Sequence, residues 1–76
     1  MTKQTEKILD DLQTRYKKAS LSKAETANEL GVSIPTLDRY IKSGYGIPPY
    51  RKEKNRPYKF NIIDIAEFLS ETIKVA

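Results

Sequence analysis

Apolar residues recur along this chain in short helical stripes, and the residues between the stripes carry stop and start signals. In 3–18, KQTEKILDDLQTRYKK, Ile8, Leu9, Leu12 and Tyr16 stand at i, i+1, i+4 and i+8 with charges elsewhere, which predicts one amphipathic helix. Ser22 with Glu25 three residues later is a capping box, in which hydroxyl and carboxylate each satisfy a backbone donor that a helix start leaves without a partner. A second helix therefore opens at Ser22. Ala24, Ala27 and Leu30 continue it at i, i+3 and i+6 up to Gly31, a residue suited to a left-handed stop. The small alanines leave room for another helix to come close.

The stretch GVSIPT, residues 31–36, puts a glycine and a proline between two helical segments. Ser33 reads as the N-cap of a third helix with Ile34 and Pro35 in its first turn, where a proline is tolerated because those N–H groups have no intrahelical acceptor. That helix, IPTLDRYIKS, covers 34–43 and stops at Gly44. Two helices joined by a short glycine-containing turn form the helix-turn-helix pattern, here over 22–44, so the two breakers build a corner. On the helical wheel Leu37, Tyr40 and Ile41 fall on one side, and Ile34, Pro35, Asp38, Arg39 and Lys42 on the other. With the first set turned inward, the second faces out as a group. In a DNA-binding corner, that outward N-terminal face of the second helix enters the major groove.

After Gly44 the pattern changes. YGIPPYRKEKNRPYKF contains three prolines, three tyrosines and five cations, which excludes a helix. PYRK and PYKF read as short extended stretches around EKNR, a hairpin over 47–60 with a polar tip. Pro48, Pro49 and Pro57 suit edge positions, and Tyr50, Tyr58 and Phe60 suit packing of the hairpin onto the helices. NIIDIAEFLSETI, 61–73, predicts a last helix with Asn61 as N-cap and Asp64 favouring the dipole. Ile62, Ile65, Leu69 and Ile73 form its inward stripe, with Phe68 beside it.

Charge sharpens this picture. Residues 1–38 carry six basic and six acidic side chains, while 39–60 carry seven basic residues against Glu53 alone, a local net of +6. Residues 61–76 are net −2, which leaves +4 for the whole chain. The excess sits in the third helix and the hairpin and points to a polyanion partner. A chain of 76 residues is expected to form a single domain that buries only about 60% of its extended surface, so the core is small and stability rises on binding. There is no Cys and no His, which removes disulfides, Cys-based metal sites, the commonest general base and the commonest zinc ligand. No metal or cofactor is expected. Asp10-Asp11 is the only adjacent carboxylate pair, and no phosphate-cradling glycine loop or nucleophile–base set accompanies it, so an enzyme is not expected. No run approaches about eighteen apolar residues, and MTKQTEKILD lacks the apolar core of a secretory signal, which predicts a soluble cytoplasmic protein with no membrane partner.

The order of a capped helix, ELGVS, TL, a helix ending in Gly, a basic hairpin with aromatics and then FNIIDIAEFL resembles the excisionase-type winged helix-turn-helix domain. That type is related to the DNA-binding domains of MerR-like regulators and to phage AlpA-like proteins. The likeness covers roughly 20–70, and its most specific parts are LSKAETANELGVSIPTL and the aromatic-polar-apolar-acidic start of the last helix. It implies a mainly α fold: two helix-turn-helix helices, a two-stranded basic wing and a C-terminal helix, with helix 3–18 as an N-terminal addition that extends the core or mediates dimerisation. It also implies a small double-stranded DNA binder, nucleoid-associated, that regulates transcription or sets the direction of site-specific recombination.

Arg39 is the leading candidate for base reading, because an outward guanidinium can bridge guanine O6 and N7, worth about 1–3 kcal/mol of discrimination. Otherwise it contacts phosphate or pairs with Asp38 or Glu29. Ile34 can touch a thymine methyl or simply edge the core, and neither Ile34 nor Pro35 donates a hydrogen bond. Ser33 and Thr36 cap the helix and can also contact phosphate. Asp38 can accept from a cytosine amino group or orient Arg39; otherwise it opposes binding. Lys42 completes the outward face. Arg51, Lys52, Lys54, Arg56 and Lys59 carry the wing, with Lys54 or Arg56 at the tip able to reach a minor groove. A domain this small reads few base pairs, so a dimer or cooperative array on DNA is expected. A different class of function is an adaptor that keeps the fold but binds a recombinase or a transcription component; it would depend on helix 3–18 or on Glu67 and Glu71 instead of Arg39.

Overall fold

Helix starts in this chain are written in one chemistry. Thr2, Ser22 and Ser33 each accept the backbone N–H three residues on, from Thr5 at 3.1 Å, Glu25 at 3.2 Å and Thr36 at 3.3 Å. Asn61 Oδ1 takes the Ile63 N–H at 3.0 Å. In a computed structural model that describes residues 2–73, with side chains to residue 71, these caps open α1 (Lys3–Tyr16), α2 (Lys23–Leu30), α3 (Ile34–Ser43) and α4 (Ile62–Ile73). Each cap contributes about 1 kcal/mol. Two short strands, β1 (Ser20–Leu21) and β2 (Phe60–Asn61), complete the order, with β1 before α2 and β2 before α4. The result is mainly helical with a small antiparallel sheet, the architecture of a winged helix-turn-helix.

The α2–α3 corner is rigid by construction. Gly31 adopts φ 73°, its N–H reaches the Asn28 carbonyl at 3.2 Å, and the Val32 N–H reaches the Ala27 carbonyl at 3.0 Å. These two bonds form a Schellman motif, which satisfies carbonyls that a helix end otherwise leaves open. Ser33 restarts the helix two residues later. The expected built corner is what the backbone shows.

Leu12, Leu21, Ala27, Leu37, Phe60, Ile62, Ile65 and Ala66 are buried together, with Ile8, Leu9, Tyr16, Leu30, Val32, Ile41, Ile47, Tyr58 and Leu69 packed against them. Every element contributes, and α1 lies along α4. The predicted stripes of the first and last helices fall on this core as far as the side chains are described; in the third, Leu37 is buried and Ile41 packs on the core while Tyr40 is half-buried. Thr5 of α1 and Ser70 of α4 are buried as well. Ile73, assigned to the last stripe, has a side chain outside the described residues.

Four expectations change. The first helix ends at Tyr16, not at residue 18, because Lys17 takes a left-handed conformation (φ 55°) and turns the chain into β1. In α2 Ala27 is buried and Leu30 packs on the core as the spacing predicted, but Ala24 is exposed and Thr26 is buried in its place. Pro48 is fully buried and not at an edge. The hairpin over 47–60 closes through one antiparallel bridge, Arg51 to Lys59, with bonds of 2.8 and 3.0 Å, and not through two extended strands. The ladder continues elsewhere: β1 pairs with β2 in the register Ser20–Asn61 and Leu21–Phe60, and the Ile62 N–H donates to the Ala19 carbonyl at 3.0 Å. This pairing fastens the outgoing arm of the hairpin to the start of the helix-turn-helix.

Candidate nucleic-acid interface

α3 divides as its sequence requires. Leu37 is fully buried and Tyr40 and Ile41 are half-buried, so Ile34 (43% exposed), Pro35, Arg39 and Lys42 stand on the outer face. At the N-terminal end, Ser33 Oγ accepts the Thr36 N–H and donates to Thr36 Oγ1 at 2.9 Å. Thr36 Oγ1 in turn accepts Arg39 Nη2 at 3.4 Å. The cap thus extends one step to the guanidinium and draws it toward the start of the helix. Among the described residues Arg39 and Lys42 form no ion pair.

Asp38 is placed otherwise than as a partner of Arg39. Its carboxylate accepts from Lys23 Nζ at 2.7 Å, and the same ammonium lies 5.1 Å from the centre of the Tyr58 ring. Lys23, at the first position of α2, therefore touches α3 and the wing at once. It neutralises the one carboxylate on the outer face of α3 and leaves Arg39 uncompensated. Nothing in its sequence position singles out Lys23, because its two contacts come from residues far along the chain.

The wing is pinned from below by aromatics and closed at its tip by hydrogen bonds. Tyr50 packs edge-on against Tyr58 (5.4 Å between centroids) and tilted against the buried Phe60 (5.7 Å). At the tip, the Arg56 N–H donates to the Glu53 carbonyl at 3.0 Å, and Asn55 takes φ 63°, a conformation that Asn tolerates in turns. Lys52 folds back into this turn: Nζ donates to the carbonyls of Glu53 at 3.2 Å and Arg56 at 2.5 Å, and sits 5.5 Å from the Tyr58 ring centre. Lys52 is thus engaged with the turn, whereas Arg51, Lys54 and Lys59 project from the wing without an ion pair among the described residues. Arg56 reaches Glu53 at 3.6 Å, both side chains well exposed. Tyr45, between Gly44 and Gly46, is 81% exposed beside α3.

At the α1–α2 seam, charge is consumed internally. Arg15 donates to Glu29 through Nη1 and Nη2, both at 2.7 Å, and to Asp11 through Nε at 3.0 Å and Nη2 at 2.8 Å. Tyr16 donates its hydroxyl to the same Glu29. These hydrogen bonds, the one from Arg15 foremost, hold the Glu29 carboxyl below its usual range, and Glu29 raises both the Arg15 and Tyr16 groups. Lys18, at 2.7 Å, does the same to Glu25. Among the described residues, no group of three His, Cys, Asp or Glu side chains could hold a metal ion, and no helix is long and apolar enough to cross a membrane.

An exposed recognition-type helix behind a fixed corner, flanked by a basic wing, defines a helix-turn-helix protein. A family model described as a helix-turn-helix domain matches residues 14–72, most of the chain, and the protein belongs to that family, a class of DNA-binding domains. The match begins in the last turn of α1, so most of that helix lies outside it. No curated protein and no solved structure matches the chain.

Proposed function

We propose that this chain is an excisionase-type, MerR-related reader of double-stranded DNA, acting as one unit in the cytoplasm on the nucleoid. It serves as a small transcription regulator or as a recombination directionality factor. The observation that carries the reading is the pairing of Lys23 with Asp38. That contact cancels the acid on the outer face of α3, leaves Arg39 free toward solvent and joins α3 to the wing in one basic surface.

On this reading α3 lies in the major groove. Arg39 reads guanine, and Ile34 with Pro35 offers an apolar edge to thymine methyls. Ser33, Thr36 and Lys42 hold phosphates, and the wing cations Arg51, Lys54, Arg56 and Lys59 follow the backbone, with Lys52 keeping the tip in shape. Two copies or a short array supply the specificity that one domain lacks. The test is fluorescence anisotropy of the full chain against random 30-mer duplexes and fragmented source DNA. Binding that weakens steeply with salt, and less steeply for one source fragment, supports the reading. A folded protein that binds no duplex at 50 mM salt overturns it.

A further inference from the structure

The single ladder pair that closes the wing, Arg51 opposite Lys59, consists of two cations. Residues directly opposed across an antiparallel bridge project to the same side, and like charges there are destabilising. A pairing of this kind closes a strand ladder at a cost unless an anion sits between the two heads. Both side chains, together with Arg56, Glu53 and Pro57, border a small cavity of about 110 Å³. That is room for three or four waters at about 30 Å³ each, enough for one small anion. The acidic group at this cavity is Glu53, whose Oε2 lies 3.6 Å from Arg56 Nε, a long and exposed contact. Asp64 borders a larger cleft of about 560 Å³ that Arg51 and Lys59 also line.

We propose that Arg51, Arg56 and Lys59 form one shared seat for a single DNA-backbone phosphate, and that Glu53 is its intramolecular stand-in, displaced when phosphate enters. The inference deepens the DNA-binding reading and rests on it for the identity of the phosphate. Three cations scattered along a wing would contact three phosphates. A seat holds one. Phosphate in the seat relieves the like-charge repulsion across a bridge that is already closed in the free chain.

The two arrangements differ in salt dependence. Each phosphate neutralised contributes about 0.9 to the slope of log affinity against log salt. With a random 30-mer duplex and salt from 50 to 200 mM, the triple variant Arg51→Gln/Arg56→Gln/Lys59→Gln loses about 0.9 of slope if the seat is shared; a loss near 2.7, from three separate contacts, overturns the proposal. Glu53→Gln, an exposed change that leaves the fold intact, tightens binding about two- to fivefold, the scale of an exposed ion pair. Glu67→Gln, the same charge change on α4, serves as control; an equal gain there overturns the stand-in role. An NMR titration with inorganic phosphate against chloride at fixed ionic strength separates this proposal from the DNA reading. Shifts at the Arg51, Arg56 and Lys59 amides, lost in the triple variant, support the seat even if no duplex binds. Duplex binding without such shifts removes the seat and leaves the DNA reading standing.

Discussion

The α1–α2 seam and the α3–wing face use arginine in opposite ways. Arg15 is matched by two carboxylates and completes a network that Tyr16 and Glu29 share. Among the described residues Arg39 has only the Thr36 hydroxyl, and Arg51 faces another cation across the wing bridge. Where charges meet opposite charges, electrostatic complementarity is satisfied within the fold. Where cations are left without acids, it is left for a polyanion to supply. Lys23 stands between the two regimes, since its ion pair with Asp38 removes a negative charge from the very surface that must meet DNA.

Each half of this contrast can be broken separately. Salt reads the whole basic face: with the wing seat counted once beside Lys42 and Lys54, about three phosphates are neutralised and duplex affinity should fall about fortyfold between 50 and 200 mM. Anisotropy titrations read this directly, and a flat response would deny the basic face its partner. Next, Arg39→Ala should reduce the preference for the specific site over random duplex about 10- to 100-fold, as expected for loss of a bidentate guanine contact. Competition titrations would show the preference unchanged if Arg39 touches only phosphate.

On the seam, Glu29→Ala should lower stability by about 1–2 kcal/mol, because it strips two donors of a charged acceptor in a partly exposed setting. Urea unfolding measures the shift in midpoint, and duplex affinity should stay within about twofold. The same carboxyl sets a pH response. The Glu29 and Glu25 carboxyls lie below their ordinary value of 4.5 in the folded protein, so the stability they contribute is present above that pH and is lost as pH falls through their folded values. Unfolding midpoints should therefore drop on acidification below about pH 4.5, and Glu29→Gln should flatten the curve. A smaller gain is expected at Thr26, which is fully buried and whose Oγ1 has no hydrogen-bond partner among the described residues. Thr26→Val should raise stability by about 1 kcal/mol by removing a buried hydroxyl that nothing satisfies.

Local signals made the helices and the corner legible. The capping box at Ser22, Gly31 at the stop, and Ser33 with Pro35 at the restart each act within four residues, so reading them needs no tertiary information. The outer face of α3 followed from its wheel for the same reason. What could not be read came from distant contacts. The β1–β2 pairing joins two-residue strands forty positions apart, too short to show a period. Pro48 is buried because the wing folds over the core, although its residue type favours an edge. The even alanine spacing in α2 pointed to Ala24, yet burial is set by what packs against the helix, and Thr26 faces that side. Within the interface, the roles of Lys23 and Lys52 depend on Asp38 and on the carbonyls of a turn, partners that no spacing rule connects.

The contrast between the two arginines is tested most directly by measuring duplex affinity for the wild-type chain, Arg39→Ala and Arg15→Ala in parallel at 50, 100 and 200 mM salt, with unfolding midpoints for all three. Arg39→Ala should lose affinity while its unfolding midpoint holds, and Arg15→Ala should lose stability while its affinity stays within about twofold of wild type. Equal losses of affinity in both variants, or no binding by the folded wild-type protein at 50 mM salt, would contradict the division of charge between fold and partner.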